Sequence, residues 1–320
     1  MRKYVLRKIF ASILTIVLVM TLNFLLIHLA PGDPVSVLMG PDSNDPEMRA
    51  AMMAKYGLDK PLFLQYLNYI ADLFRGNLGT SIIFGRPVAQ MILEKIVPTL
   101  SLVVTASIAG LVLGTLMGIW AARNEGSLLD TILSSLVYVL NAVPSFWLAL
   151  MLIMMFATKF RLLPSSGLFD PRANYAGLEL YLDMGKHMIL PLVTLILLRI
   201  PHYFRTTKTS ILQVSAEDYI NTFRATGMNE NKIFRKYVFR NAILPVVTSF
   251  GLSIAYLITG VALVETVFAW PGTGRVTMTA INQRDYPTLM GMYLIMSIMV
   301  AVTMVIMDIV YAMLDPRIRY

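Results

Sequence analysis

Few residues in this chain could act chemically inside an apolar interior. Arg199 and Pro201 interrupt one apolar run, and Asn141-Ala-Val-Pro144-Ser145 interrupts another. Asn23, His28, Glu265 and Asp308 fall towards the ends of further apolar runs. A charge at a bilayer centre costs about 2.5–3.5 kcal/mol on insertion scales, so such groups face a cavity or one another. Arg199 reads as half of a structural ion pair, with Asp308 the candidate partner, or as a cation beside a route through the membrane. Pro144 frees a backbone carbonyl that a route could use, although helix shape alone also accounts for Asn141, Pro144 and Ser145. For His28, Glu265 and Asp308, interface exposure near a span end is the simpler reading.

Other chemistry is missing from the sequence. The chain has no Cys, which removes disulfides, thiolate metal sites and Cys nucleophiles together. It has no G-x-x-x-x-G-K-[ST], so it binds no ATP through a P-loop, and no H-E-x-x-H or G-x-S-x-G. His28, His187 and His202 are too dispersed to form a local ligand cluster. The 22 Met residues are scattered, as adaptable apolar packing requires. Catalysis by this chain is not expected.

The elements that position these residues follow from composition. Of 320 residues 57% are hydrophobic and 14% charged, with a mean hydropathy of +0.66. Soluble domains carry about 25% charged residues. An all-α polytopic membrane protein is the class that fits. A bilayer core needs about 20 apolar residues as helix. Ile9–Leu29, Pro98–Ala122, Thr131–Thr158, Ala242–Val264 and Pro287–Met307 contain no Lys, Arg, Asp or Glu, and His187–Phe204 makes a sixth span. The first run is too long for a signal peptide and ends without a small-x-small site, so a retained signal anchor is expected.

Arg2, Lys3, Arg7 and Lys8 precede that run and set the N-terminus in the cytoplasm. Six spans return the C-terminus to the same side, giving a multi-pass inner-membrane protein. The net charge of +8 then falls on the cytoplasmic loops, as membrane insertion selects, and a nucleic-acid partner loses its support. The organisation expected is residues 1–30 as N-terminal segment and first span, 31–97 as an external loop, and 98–320 as a five-span core with a cytoplasmic loop at 205–241.

Within the external loop, Asp45-Pro46-Glu47 and Gly57 bracket one short helix. A second opens at Pro61 and closes at Gly76, with Leu62, Phe63, Tyr66, Leu67, Ile70, Leu73 and Phe74 on one face. That face suits the outer membrane surface or packing within the loop. Gly110, Gly114 and Gly118 form a small-residue stripe that lets another helix approach. In the cytoplasmic loop, Ser215 and Asp218 have the form of a capping box opening a short helix that stops at Gly227. Exposed Tyr219 and Phe223 there suit docking into a partner's groove. A second, basic helix is expected from Glu230 to Arg240.

Several strings resemble the permease subunits of the dipeptide/oligopeptide/nickel class of ABC importers: Pro31-Gly-Asp-Pro34-Val35, Tyr56-Gly-Leu-Asp-Lys-Pro61, Gly76-Asn-Leu-Gly79-Thr-Ser81 and Met188-Ile-Leu-Pro191. Glu217-Asp-Tyr219, Arg240-Asn-Ala-Ile-Leu-Pro245, Glu265-Thr-Val-Phe-Ala-Trp-Pro-Gly-Thr-Gly-Arg275, Arg284-Asp-Tyr-Pro287 and Asp315-Pro-Arg-Ile-Arg319 continue in family order. The resemblance implies a type I ABC importer permease fold. It assigns ATPase coupling to Glu217, Asp218, Tyr219, Asn221, Thr222, Phe223, Ala225 and Gly227. The importer pattern E-A-A-x-x-x-G is kept only at Gly227. Glu265, Trp270, Pro271, Gly272, Gly274 and Arg275 would lie at the external mouth facing a substrate-binding protein. A homologous second permease, two cytoplasmic ATPases holding ATP and Mg, and membrane lipid complete the implied partners; this chain itself holds no metal or cofactor. Asn141, Pro144, Ser145 and Arg199 are the pathway candidates.

The reading is import of di- and oligopeptides. Nickel or another metal chelate is the alternative within the family, and a proton-coupled secondary transporter using Glu265 and Asp308 is the alternative outside it. An intramembrane enzyme is the weakest reading.

Overall fold

The computed structural model describes residues 2–29, 34–39, 45–255 and 261–314, with some side chains at the margins of these stretches, among them that of Asp308, outside the description. The strings Pro31-Gly-Asp-Pro34 and Asp315-Pro-Arg-Ile-Arg319 fall wholly or largely outside the described residues. The described chain is helical, with an isolated bridge between Thr80 and Pro87. In order the helices are α1 (Arg2–Leu29), α2 (Pro34–Met39), α3 (Pro46–Tyr56), α4 (Leu62–Phe74), α5 (Val88–Arg123), α6 (Leu128–Ala142), α7 (Ser145–Leu152), α8 (Leu178–Ser215), α9 (Asp218–Ala225), α10 (Glu230–Ile233), α11 (Phe239–Ala255), α12 (Ala262–Val267), α13 (Thr273–Asn282) and α14 (Tyr286–Leu314). π-Helical turns at Ile153–Lys159 and Phe234–Val238 extend α7 and lead into α11.

Among the described residues four helices are long and apolar enough to cross a membrane: Phe10–Leu29, Val88–Arg123, Leu178–Ser215 and Tyr286–Ile306. The run expected as one span over Thr131–Thr158 is instead a helix pair bent by 105° between α6 and α7. The cause is local. Val143 precedes Pro144, whose ring disfavours the helical region for its neighbour, and both residues are extended, at ψ 126° and 139°. Ala242–Val264 covers α11 and the start of α12 but also residues 256–260, which lie outside the described residues. The short span expected over His187–Phe204 is the middle of a 38-residue helix. α8 continues through Pro191 and Pro201, as proline permits where neighbouring helices fix the backbone.

The chain divides into two compact units, Met1–Thr99 with Pro271–Tyr320, and Leu100–Trp270. In the first, α1 packs along α14. Met20, Phe24 and Met290 form its core with Tyr66, Tyr69 and Leu73 of α4. Val88, Ile92 and Met292 form a second cluster. A Cβ at Gly291 would stand 2.5 Å from Val88 Cγ1, so only glycine admits that approach. The caps expected for α3 are present: Asp45 accepts from the Glu47 and Met48 N–H groups, and Gly57 closes the helix at φ +67°.

In the second unit α8 is the central strut, packed against α6, α7, α11 and α12. The glycine stripe of α5 lies against it as the spacing suggested. Cβ atoms at Gly110, Gly114 and Gly118 would each come within 2.8 Å of α8 atoms, at Arg199, Tyr203, and Phe204 with Thr207. Leu102, Val103, Ala149, Leu190, Val264, Phe268 and Trp270 build the main core.

Candidate coupling site and membrane pathway

α9 is a short polar helix fastened from one side. Ile220 is wholly buried in a cluster with Ala122 at the end of α5, Ile211 of α8, Ile233 of α10, Val238, and Ala242 of α11. Phe223 is half-buried, its ring 4.2 Å from that of Tyr237, so it is a seat residue and not the exposed docking aromatic expected. Glu217, Asp218, Tyr219, Asn221, Thr222 and Ala225 stay exposed. Gly227, at φ +76°, lets the chain reverse, with its N–H on the Arg224 carbonyl.

Polar ties edge this seat. Arg224 Nε donates to Glu230 Oε1 at 2.8 Å, Asn241 Nδ2 to the Tyr219 hydroxyl at 3.3 Å, and Arg123 to Asn231 Oδ1 at 2.8 Å. The capping box expected at Ser215 does not form. Ser215 is the last residue of α8, and Glu217 precedes α9 without a side-chain cap bond. The long α8 has taken the serine into its own last turn. The basic segment from Glu230 is likewise no separate helix, since α10 and the π-helical turn run directly into α11.

An ion pair that the sequence did not announce joins α6 to α8. Lys208 Nζ donates to Asp130 Oδ1, and to Ser134 Oγ at 3.1 Å. Asp130 also accepts from the Gly126 N–H at 3.2 Å and from Ser134 Oγ at 3.1 Å. Asp130 is buried. The available signal was local, Ser127 three residues before Asp130, which caps α6 through the Asp130 N–H. The partner lies 78 residues away and has no such signal.

Of the pathway candidates, Asn141 is exposed and lines a small cleft with Val137, Tyr138, Pro201, Phe204 and Arg205. Pro144 and Ser145 form the bend and the first residue of α7. Arg199 rests its stem on Gly110, and its Nε is buried with no hydrogen-bond partner among the described residues. The ion pair with Asp308 lies outside the described residues. From Arg199 a polar line continues down α8 through His202, Thr206, Thr209 and Gln213, at helix-face spacings of three and four residues. His202, Thr209 and Gln213 are exposed, although α8 is otherwise packed.

The residues expected at the external mouth divide by burial. Glu265 and Trp270 are buried in the second unit, where the Trp270 N–H donates to the Glu265 carbonyl at 2.8 Å. In the first unit Gly272 and Gly274 are buried, Pro271 is half-buried and Arg275 is exposed. The Thr273 N–H donates to Thr99 Oγ1 at 2.8 Å. Two of the sequence strings meet at Asp285, which is wholly buried. It accepts from Ser81 Oγ at 2.5 Å, the Ile82 N–H at 3.0 Å and Thr288 Oγ1 at 2.8 Å. Gly76–Ser81 and Arg284–Pro287 thus form one clasp. Among the described residues no group of three His, Asp or Glu could hold a metal ion.

The chain is thus a bundle of long apolar helices with an exposed short helix, α9, seated on their ends. Residues 114–320 match the family described as binding-protein-dependent transport system inner membrane component, and residues 1–103 match the N-terminal model of such membrane components. The chain belongs to this family and is a multi-pass inner-membrane protein. It is 35% identical to the di/tripeptide transport system permease protein DppB of Pseudomonas aeruginosa (strain UCBPP-PA14), over 100% of this chain and 99% of that one. Identity is also 35% to the oligopeptide transport system permease protein AppB of Bacillus subtilis (strain 168), over 100% of both. The inward-facing MetNI methionine ABC transporter shares the fold, with a TM-score of 0.55 at 17% identity over 71% of this chain and 97% of that one.

Proposed function

We propose that this chain is the membrane-spanning subunit of an ATP-driven importer of di- and oligopeptides, and not itself an enzyme. The seat of α9 carries the coupling half of the reading: an exposed polar face backed by Ile220 in a core shared with α5, α8 and α11. A push on that face acts through Ile220 on a core shared with three long helices. Full-length likeness to peptide permeases carries the substrate half and favours peptides over a nickel chelate.

In this mechanism an external substrate-binding protein delivers peptide to the mouth. Two cytoplasmic ATPases, holding ATP and Mg in their own sites, close and move α9 of this chain and its counterpart in a homologous second permease. Both termini of this chain are cytoplasmic. Arg199 and His202, with Asn141, Pro144 and Ser145, face the route, because exposed polar groups on a spanning helix are costly against lipid, and Thr206, Thr209 and Gln213 continue that line on the cytoplasmic side. At the mouth, Arg275 and Pro271 offer surface to the receptor and the buried Gly272 and Gly274 of the same unit shape it from behind; Glu265 and Trp270 belong to the core of the second unit.

Gly227→Pro tests the coupling, since proline cannot adopt φ +76°. The expected result is loss of dipeptide uptake and of transport-linked ATPase activity with normal membrane insertion. Unchanged uptake by an inserted variant would refute the assignment of α9. Uptake of radiolabelled nickel but not peptide by a complemented deletion strain would transfer the reading to metal chelates. For the mouth, Arg275→Glu should weaken receptor docking to the reconstituted importer, and undiminished docking would remove Arg275 from that surface.

A further inference from the structure

α4 presents three faces whose angular order identifies its surroundings. At about 100° per residue, Tyr66, Tyr69 and Leu73 project on one side, and Phe63, Leu67, Ile70 and Phe74 about 100° away from it. Asn68, Asp72 and Gln65 lie about 160° from the Phe63 face. The first side is occupied. The Tyr66 hydroxyl is 2.7 Å from Thr21 Oγ1, the Tyr69 hydroxyl donates to Met20 Sδ at 3.7 Å, and the ring of Phe24 stands 5.3 Å from that of Tyr66. The Phe63 face is uncovered at Phe63, 69% exposed, at Leu67 and at Phe74, 88% exposed, with Ile70 half-buried at its edge. Asn68 is exposed on the polar face.

The contacts on α1 fix the depth of α4. Phe24 lies five residues, and Met20 nine, before Leu29, the last residue of the apolar run, or about 7.5 and 13.5 Å along a helix. A second ruler agrees. Met290 and Leu294, in the same cluster, stand four and eight residues inside the start of α14, about 6 and 12 Å. The tyrosine rings therefore reach into the depth of the spans. α1 itself presents Leu22, Leu25, Leu26 and Leu29 exposed, so at this depth the first unit carries further uncovered apolar surface.

We propose that α4 lies in the plane of the extracytoplasmic leaflet at the boundary of headgroups and acyl chains. Its tyrosines grip α1, Phe63, Leu67, Ile70 and Phe74 sit among the acyl chains, and Asn68 and Asp72 face water. This is the arrangement of an interfacial amphipathic helix, which sinks about 5–10 Å into that boundary. The occupant of the bare face is phospholipid. The leaflet rests on the cytoplasmic N-terminus proposed above, and the depth does not.

The chain has no Cys, so single-cysteine variants need no prior substitution. Phe63→Cys, Leu67→Cys, Phe74→Cys, Asn68→Cys and Asp72→Cys are spin-labelled in the whole importer, reconstituted in phospholipid vesicles. The readout is the ratio of collision rates with oxygen and with a water-soluble nickel chelate. The ratio should favour oxygen at Phe63, Leu67 and Phe74 and reverse at Asn68 and Asp72. Chelate-dominated collisions at Phe63 and Phe74 would overturn the proposal by placing the face in water, and exclusion of both reagents there would overturn it by placing a partner protein on it. In intact cells, Asn68→Cys should react with a membrane-impermeant maleimide; reaction only after permeabilisation would overturn the leaflet while leaving the depth to the collision ratio.

Discussion

The clasp at Asp285 and the seat of α9 both fasten a short segment to long helices, by opposite means. At the clasp one buried carboxylate collects two hydroxyls and a backbone N–H, all directional and all out of water. The seat is held by the shape of Ile220 and Phe223 in an apolar hollow, with its hydrogen bonds around the exposed rim. A buried directional network tolerates little displacement, because each group that loses its partner stays dehydrated. Apolar side chains can shift against one another at less cost. The clasp therefore suits a fixed frame and the seat suits an element that is pushed.

Removing the centre of the clasp gives the largest expected effect. Asp285→Ala leaves Ser81, Ile82 N–H and Thr288 without an acceptor, at about 1–3 kcal/mol each. The purified importer should melt well below the wild type or fail to accumulate, and Asp285→Asn should recover part of the loss. Wild-type melting in Asp285→Ala would end the contrast, since the clasp would then contribute nothing to the frame. Ile220→Ala comes next, at about 2–5 kcal/mol for a large-to-small change in a filled core. It should lower stability and coupling together, read as melting temperature and peptide-dependent ATPase activity.

These two sites were not equally legible in the sequence. The caps of α3, the stop at Gly227 and the glycine stripe are encoded within a few residues, and each appears in the structure where the local pattern places it. The family strings marked both halves of the clasp but gave no reason to join them. Ser81 and Asp285 are 204 residues apart, and pairing at that distance is a property of the folded chain. Ile220 was hidden differently. The polar segment Asp218–Ala225 has a single residue that is wholly buried, which amphipathic periodicity cannot separate from an exposed helix. The break at Pro144 and the length of α8 show the same limit, since proline ends one helix and passes twice unremarked through another.

Tyr219→Ala separates fastening from pushing. Its side chain is 39% exposed and its hydroxyl receives a single 3.3 Å bond from Asn241, so the stability change should stay within about 0.5 kcal/mol. Uptake should nevertheless fall under the proposed coupling, in which the outer face of α9 is the surface the ATPase grips. Full uptake at normal stability would move the grip to Asn221 and Thr222 or away from α9.

The smallest effect is expected at Arg224→Ala. Arg224 joins α9 to Glu230 at 2.8 Å and also reaches Asn221 Oδ1 at 3.2 Å, but both charged side chains are well exposed. Exposed ion pairs contribute about 0–1 kcal/mol and are screened by salt. The variant should therefore melt within a degree or two of the wild type by about that margin, and the difference should vanish in high salt. Coupling should survive, since Ile220 still fixes the helix. If Arg224→Ala instead uncouples ATPase activity as fully as Ile220→Ala, the rim and not the hollow holds α9, and the contrast with the clasp reduces to two polar fastenings of different burial.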